Sequence, residues 1–405
     1  MPQPSLSPRH ATALTAVLGL LSLFPPLATD MYLAAMGDLA EAMNATHAAT
    51  ELSLSLFFLG LCLGQLIMGP LIDGLGRKLP LLVGTALFAL ATVGLLLVDN
   101  IVYFNALRVL QAIGACAGMV VGRAIVNDLY QGREAAKVMT LLVMLLTLGP
   151  IVSPTLGSLL LEAFGWRAIF VTMLGISLVA LVLSQRIIPE TLPPEARAAR
   201  PFRSGAATAA KLLRRRRFVI PVLIAGLVQG GLFAFITGSS GVFQGVFGLS
   251  AIQYGLLFAV IAAALMLFGQ LNRRLLDHAS PARILRLGLP VHAAVALVLT
   301  LLSGTETLGL YVAPLWLAIG MVGLLSANAM SLAMEAARDG AEIGSALLGA
   351  VQFGIAFTVS ACVALGGTDN ALPMSLGLLL PTLLATGLSR LDRTPAPDMA
   401  KAARG

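Results

Sequence analysis

Runs of about twenty apolar residues recur along the chain, the length a helix needs to cross the hydrocarbon of a bilayer. They fall near residues 12–36, 51–71, 79–98, 101–126, 137–161 and 166–188, then 219–244, 253–272, 283–303, 307–332, 343–366 and 371–391. Each run predicts one membrane-spanning helix. The intervening polar stretches are short, except for 189–218. The pattern predicts an all-α membrane protein of twelve transmembrane helices, with a six-helix bundle at 12–188, a basic cytoplasmic linker at 189–218 and a second six-helix bundle at 219–391.

Charge tests the count independently. With the N-terminus placed inside, only Arg108, Arg123 and Arg167 among the 26 Lys and Arg residues fall outside the inner loops, linker and termini. Arg9, Arg393, Lys401 and Arg404 are among the inner charges. A miscounted helix would scramble this alternation. Both termini are therefore expected in the cytoplasm, with the chain crossing the membrane many times. The net charge of +7 then reads as a topology signal, and no nucleic-acid partner is expected. The linker's basic run, with Arg214–Arg217 consecutive, is expected to anchor the seventh helix and to attract anionic lipid.

Composition removes other classes. The chain is 58% hydrophobic and 11% charged, where a soluble domain carries about 25% charged residues. The first run reaches about residue 36 without a clear cleavage site, so it reads as a helix and not as a removed signal peptide. Cys62, Cys116 and Cys362 lie inside apolar runs, and the four His are scattered, so no metal site and no cofactor are expected. No nucleophile–base pair or phosphate-binding loop is recognisable, and an enzyme is not expected.

Two charges inside spans are the candidate chemistry. Asp30 follows Phe24-Pro25-Pro26 and reads as the one acidic residue within a span. The prolines break the helix, which is tolerated where protein or a watery cavity satisfies the freed carbonyls. An ionisable group there is a functional candidate. By helical rise Asp30 lies roughly 9 Å, and Arg108 on the order of 10 Å, from the outer boundary. That shared depth suggests a protonation-sensitive Asp30–Arg108 pair. Gln229 and Gln352, with Tyr32 and Phe233 as stacking surfaces, are candidate cavity residues.

Six strings carry a resemblance. Gly69-Pro-Leu-Ile-Asp73-Gly-Leu-Gly76-Arg77-Lys78, between the second and third runs, resembles the loop signature of the major facilitator superfamily, with Gly74 in place of the usual basic residue. Arg108-Val-Leu-Gln111-Ala-Ile-Gly114 resembles its fourth-helix motif, with Ala112 in place of a Gly. Gly149-Pro150-Ile-Val-Ser-Pro154-Thr-Leu-Gly157 resembles the fifth-helix signature of drug–proton antiporters. Thr29-Asp30-Met31-Tyr32-Leu33, with the Arg123–Tyr130 and Gly165–Phe170 segments, is similar to the bicyclomycin-resistance and chloramphenicol/florfenicol exporter branch. The specific likeness covers about residues 20–185.

The resemblance implies two pseudo-symmetric six-helix bundles in the major facilitator fold, working as a monomer. It implies that Asp73 and Arg77 latch the halves on the inner side, where the loop carboxylate can face the positive end of helix 11. The implied function is proton-coupled efflux of a small amphipathic or aromatic drug, with the proton as coupling ion. Two alternatives stay open: an uptake symporter for a metabolite, and a non-transporting membrane sensor or scaffold.

Overall fold

The computed structural model describes residues 8–367 and 370–391; Arg393, Lys401 and Arg404, counted above, lie outside the described residues, as does the side chain of Arg9. Twelve helical stretches within them are long and apolar enough to cross a membrane, and no strand occurs among the described residues. The first stretch is broken into α1 (Pro8–Ser22), α2 (Phe24–Asp30) and α3 (Met36–Ala42), with a 3-10 turn at Leu33–Ala35. The first half continues with α4 (His47–Leu75), α5 (Lys78–Leu97), α6 (Ile101–Leu129), α7 (Gly132–Phe164) and α8 (Trp166–Ile187). A linker helix, α9 (Pro201–Leu213), follows. The second half holds α10 (Arg216–Ser240), extended by a wider turn at Gly241–Val246, then α11 (Ala251–Leu276), α12 (Pro281–Leu301), α13 (Leu308–Ala336), α14 (Ala341–Leu365) and α15 (Leu372–Leu391).

Polar residues at the ends of the apolar runs start the helices. Thr46 accepts from the Ala49 N–H to open α4, and Asn100 from the Val102 N–H to open α6. Ser250 and Gln253 form a reciprocal capping box at the start of α11.

The halves meet along two seams. The second span, α4, packs on the eleventh, α14, and the fifth, α7, packs on the eighth, α11. A two-fold relating the halves exchanges these pairs, since adding six to either partner of one pair gives the other. The linker does more than connect. Its α9 packs against both α4 and α14, Ala198 N–H donates to the Asp73 carbonyl, and Arg215 pairs with Asp339 at 3.4 Å. The bundle thus has a linker end, spanned by α9, and a far end.

Candidate functional site

Pro25 and Pro26 explain why α1 stops. They occupy the first turn of α2, where proline's missing N–H and fixed φ are tolerated, and as neighbours they remove two successive donors from the helix begun upstream. The break is held by α7. A side chain at Gly149 would press on the Pro26 ring at 2.6 Å, and one at Gly157 would fall on the Met31 carbonyl. The small residues of the fifth-span motif therefore let α7 touch the main chain of the broken first span. Pro150 and Pro154 sit inside α7, which runs through both without a break.

Arg108 on α6 is fully buried. Its Nη2 donates to the Ala28 carbonyl at 2.8 Å and its Nη1 to Gln111 Oε1 at 2.5 Å. Ala28 lies two residues from the end of α2, where carbonyls lack helical partners, so the guanidinium caps that end. Its carbon also lies 4.4 Å from the ring centres of both Tyr32 and Phe57. A charge in a span costs about 2.5–3.5 kcal/mol on insertion scales. Charge-assisted hydrogen bonds of about 1.5–3 kcal/mol each and a desolvated cation–π contact offset it. Gln111 in turn donates to Thr92 Oγ1 at 2.8 Å, tying α6 to α5. Arg108 Nε is buried without a partner.

The Asp30–Arg108 pair is corrected by this geometry. Asp30 is 1% exposed, and its Oδ1 lies 2.7 Å from the Thr29 hydroxyl, which also lies 2.9 Å from the Pro25 carbonyl. No ion pair joins it to Arg108 among the described residues. Helical rise fixes depth, not direction around the axis, and the guanidinium is taken by the carbonyl that the proline break exposes. Asp30 is also not the only carboxylate buried within a span. Glu51, on the second turn of α4, is 2% exposed. Sequence reasoning missed it because it sits at the edge of an apolar run, where an acid reads as a loop residue.

Tyr32 is buried and bonds Ser53 at 2.8 Å. Phe233 on α10 lies between Phe58 of α4, 4.4 Å away, and Phe353 of α14, 6.0 Å away between ring centres. This aromatic cluster bridges the halves, and Phe58 and Phe353 were not singled out from sequence. Gln229, one turn from Phe233 toward the linker end of α10, and Gln352, the residue before Phe353 on α14, are both half-buried. At the far end Ser55 of α4 bonds Ser360 of α14 at 2.7 Å, and Ser360 bonds Thr237 of α10 at 2.5 Å. Gln244 donates to the Ala34 carbonyl at 3.2 Å, and Thr155 of α7 to the Gly255 carbonyl of α11 at 3.3 Å. The far end is joined across both seams.

At the linker end Arg77 is 4% exposed and gathers the loop. It pairs with Asp73 at 2.9 Å and with Asp128 of α6 at 3.0 Å. Gly76 has φ +95°, and a side chain there would strike Glu190, so the loop requires glycine. Glu190 accepts from the N–H groups of Arg77, Lys78 and Leu192 at 2.8, 3.2 and 3.0 Å. Partial burial alone would push this carboxyl up, but those donors and the Arg197 charge outweigh it and hold it below its usual range. Lys78 reaches the Gln185 carbonyl at 2.9 Å.

The expected contact of Asp73 with the start of helix 11 takes a different form. Asp73 is held by Arg77, and the first turn of α14 presents Glu342, which feels the charges of Asp73, Arg77 and Asp128. Gly69 faces Ala346 of α14 at ordinary van der Waals distance, and Arg123 bonds Ser345 of α14 at 3.4 Å. The loop therefore lies against the opposite half.

Comparison with known proteins agrees with this architecture. A family model described as Major Facilitator Superfamily matches residues 18–364. A bicyclomycin resistance protein homolog of Haemophilus influenzae is 30% identical over 359 residues, 88% of this chain and 90% of its own. A chloramphenicol resistance protein of Pseudomonas aeruginosa is 32% identical over 363 residues, 87% of this chain and 83% of its own. Among solved structures, a D-xylose–proton symporter superposes with a TM-score of 0.74 at 16% identity, covering 96% of this chain and 98% of its own.

Proposed function

The chain belongs to the Major Facilitator Superfamily, and on that premise we propose that it exports small amphipathic or aromatic drugs in exchange for protons. The observation that carries the reading is the buried carboxyl of Asp30 at the end of the broken α2, in a chain similar to proteins named for bicyclomycin and chloramphenicol resistance. The linker end is the cytoplasmic one in this reading, supported by the concentration of basic residues there. Both termini then lie in the cytoplasm, the membrane is the bacterial inner membrane, and the protein works as a monomer.

The halves rock about the α4–α14 and α7–α11 seams, so that a central path opens to one side at a time. Drug enters from the cytoplasmic side and stacks among Phe58, Phe233, Phe353 and Tyr32, with Gln229 and Gln352 as polar contacts. Asp30 carries a proton inward while drug moves outward; a charge crossing the full field gains about 2.3 kcal/mol per 100 mV. Arg108 holds the α2 end, and hence Asp30, in place. The Asp73–Arg77–Asp128 cluster braces the cytoplasmic end when the path faces outward.

Susceptibility of a pump-deficient bacterial host to a drug panel that includes chloramphenicol tests this reading. Expression of the wild-type chain raises resistance to at least one compound, and Asp30→Asn returns it to the host level while still reaching the membrane. Equal resistance from both would remove Asp30 from the mechanism.

A further inference from the structure

Glu51 has no role in the cycle described so far, yet it is one of the more costly residues to bury. It lies on the second turn of α4 and is 2% exposed. Its Oε2 is buried with no hydrogen-bond partner, and no basic side chain stands within ion-pair distance of it among the described residues. Its direction follows from the helix. Ser55, four residues on, shares its face. Ser55 bonds Ser360 of the opposite half, which bonds Thr237. Glu51 thus sits one turn outward of the hydroxyl chain that closes the α4–α14 seam.

The ionisable groups around it are few. Tyr254 of α11, whose hydroxyl bonds Ser239 at 2.8 Å, is the phenol near both Asp30 of α2 and Glu51. Arg108 of α6 and Tyr32 are engaged with each other, His47 is exposed one turn earlier on α4, and Asp38 and Glu41 are exposed on α3. The facing stretches of α10 and α14 offer hydroxyls, and the Cys362 thiol is exposed. None supplies a counter-charge. A bare carboxylate shut into such a seam with an oxygen unpartnered is strongly disfavoured, whereas a carboxylic acid is tolerated.

We propose that Glu51 is a proton-controlled seal of the transporter, distinct from the proton-carrying Asp30, and that the outer seam closes over it only while its carboxyl holds a proton. The inference rests on the proton-coupled reading above. When the seam is open, a proton from the external water bonds to a Glu51 carboxylate oxygen, and the neutral acid is then buried as α4 and α14 come together. When the seam reopens the proton returns to the external water. External acidity thereby favours the closed seam after drug has left, which commits the transporter to return inward.

Distance measurement between spin labels across the seam tests this in the full chain reconstituted in lipid. Labels are placed at Ala42→Cys at the end of α3 and Val246→Cys beyond α10, both exposed, with Cys62, Cys116 and Cys362 replaced by Ser. In the otherwise native protein, mildly alkaline pH moves population from the short distance to a longer one. Glu51→Gln holds the short distance at every pH, and Glu51→Leu, which leaves no polar atom to bury, does the same. Asp30→Asn keeps the pH response of the seam. A labelled protein indifferent to pH, or either Glu51 variant responding as the unsubstituted protein does, overturns the proposal. Undiminished drug resistance from Asp30→Asn would sink the wider reading instead, without touching this readout.

Discussion

The contact between α7 and the broken first span can be tested with one methyl group. In Gly157→Ala the added Cβ would overlap the Met31 carbonyl oxygen and stand 2.6 and 2.9 Å from its carbon and Cα, all main-chain atoms that no rotamer change can move. The two helices must part, or the 3-10 turn after Asp30 must shift. Overpacking of this kind costs about 1–3 kcal/mol, and the backbone obstacle puts Gly157→Ala at the upper end. About 1 kcal/mol moves the melting temperature of a 150–250-residue domain by roughly 2–4 °C, and a six-helix half is of that size, so a fall of about 5 °C or more is expected.

Gly69→Ala is the matched comparison. Its Cβ would meet only Ala346 Cβ at 3.9 Å, an ordinary contact, so its melting point is expected to stay near wild type. Gly149→Ala, 2.6 Å from the Pro26 ring, should fall between them. The assay is thermal unfolding of the purified proteins followed by tryptophan fluorescence, in one detergent. Gly157→Ala melting no lower than Gly69→Ala would refute the reasoning that the fifth-span glycines exist to admit the first span.

Further expectations concern the other parts of the site. Asp128→Asn leaves the buried Arg77 with one carboxylate fewer, at a cost of about 1–3 kcal/mol, and should slow drug turnover more than it weakens drug binding; wild-type turnover and melting would dispose of the brace. Arg108→Lys keeps the charge but cannot reach Gln111 and the Ala28 carbonyl together, so transport should fall although the charge remains; full activity would show that charge alone suffices. Phe233→Ala should alter the range of drugs exported more than the amount of protein in the membrane, read by susceptibility profiles set against immunoblots; a uniform loss for every drug would assign the ring to packing. Glu190 is held below its usual range, so its contribution to linker docking is present above the ordinary glutamate value of about 4.3 and is lost as pH falls through the lowered one. Glu190→Gln should remove that acid-range loss from protease protection of residues 189–200, and an unchanged pH profile would rule the contact out.

Much of this was legible in the sequence because the membrane imposes two strict codes. Apolar length and loop charge gave the spans, and the Pro25–Pro26 pair marked the break where the structure has it. Glycine and proline motifs were readable because close approach and missing donors leave few alternatives, as at Gly76 and Gly157. Direction around a helix was not legible. Asp30 and Arg108 share a depth but not a bond, because Arg108 turns to the Ala28 carbonyl. The same gap hid the Phe58–Phe233–Phe353 cluster, whose members come from three distant spans. Glu51 escaped for another reason: it stands at the edge of an apolar run, and its burial is a tertiary event with no local signature.

Drug flux in liposomes containing only the purified protein measures the coupling itself. With chloramphenicol as the probe and a pH gradient imposed across the vesicle wall, the wild-type chain should accumulate drug on the acidic side, and collapse of the gradient should stop it. Asp30→Asn should equilibrate or retain the drug without responding to the gradient. Accumulation by Asp30→Asn that still follows the pH gradient would contradict the account.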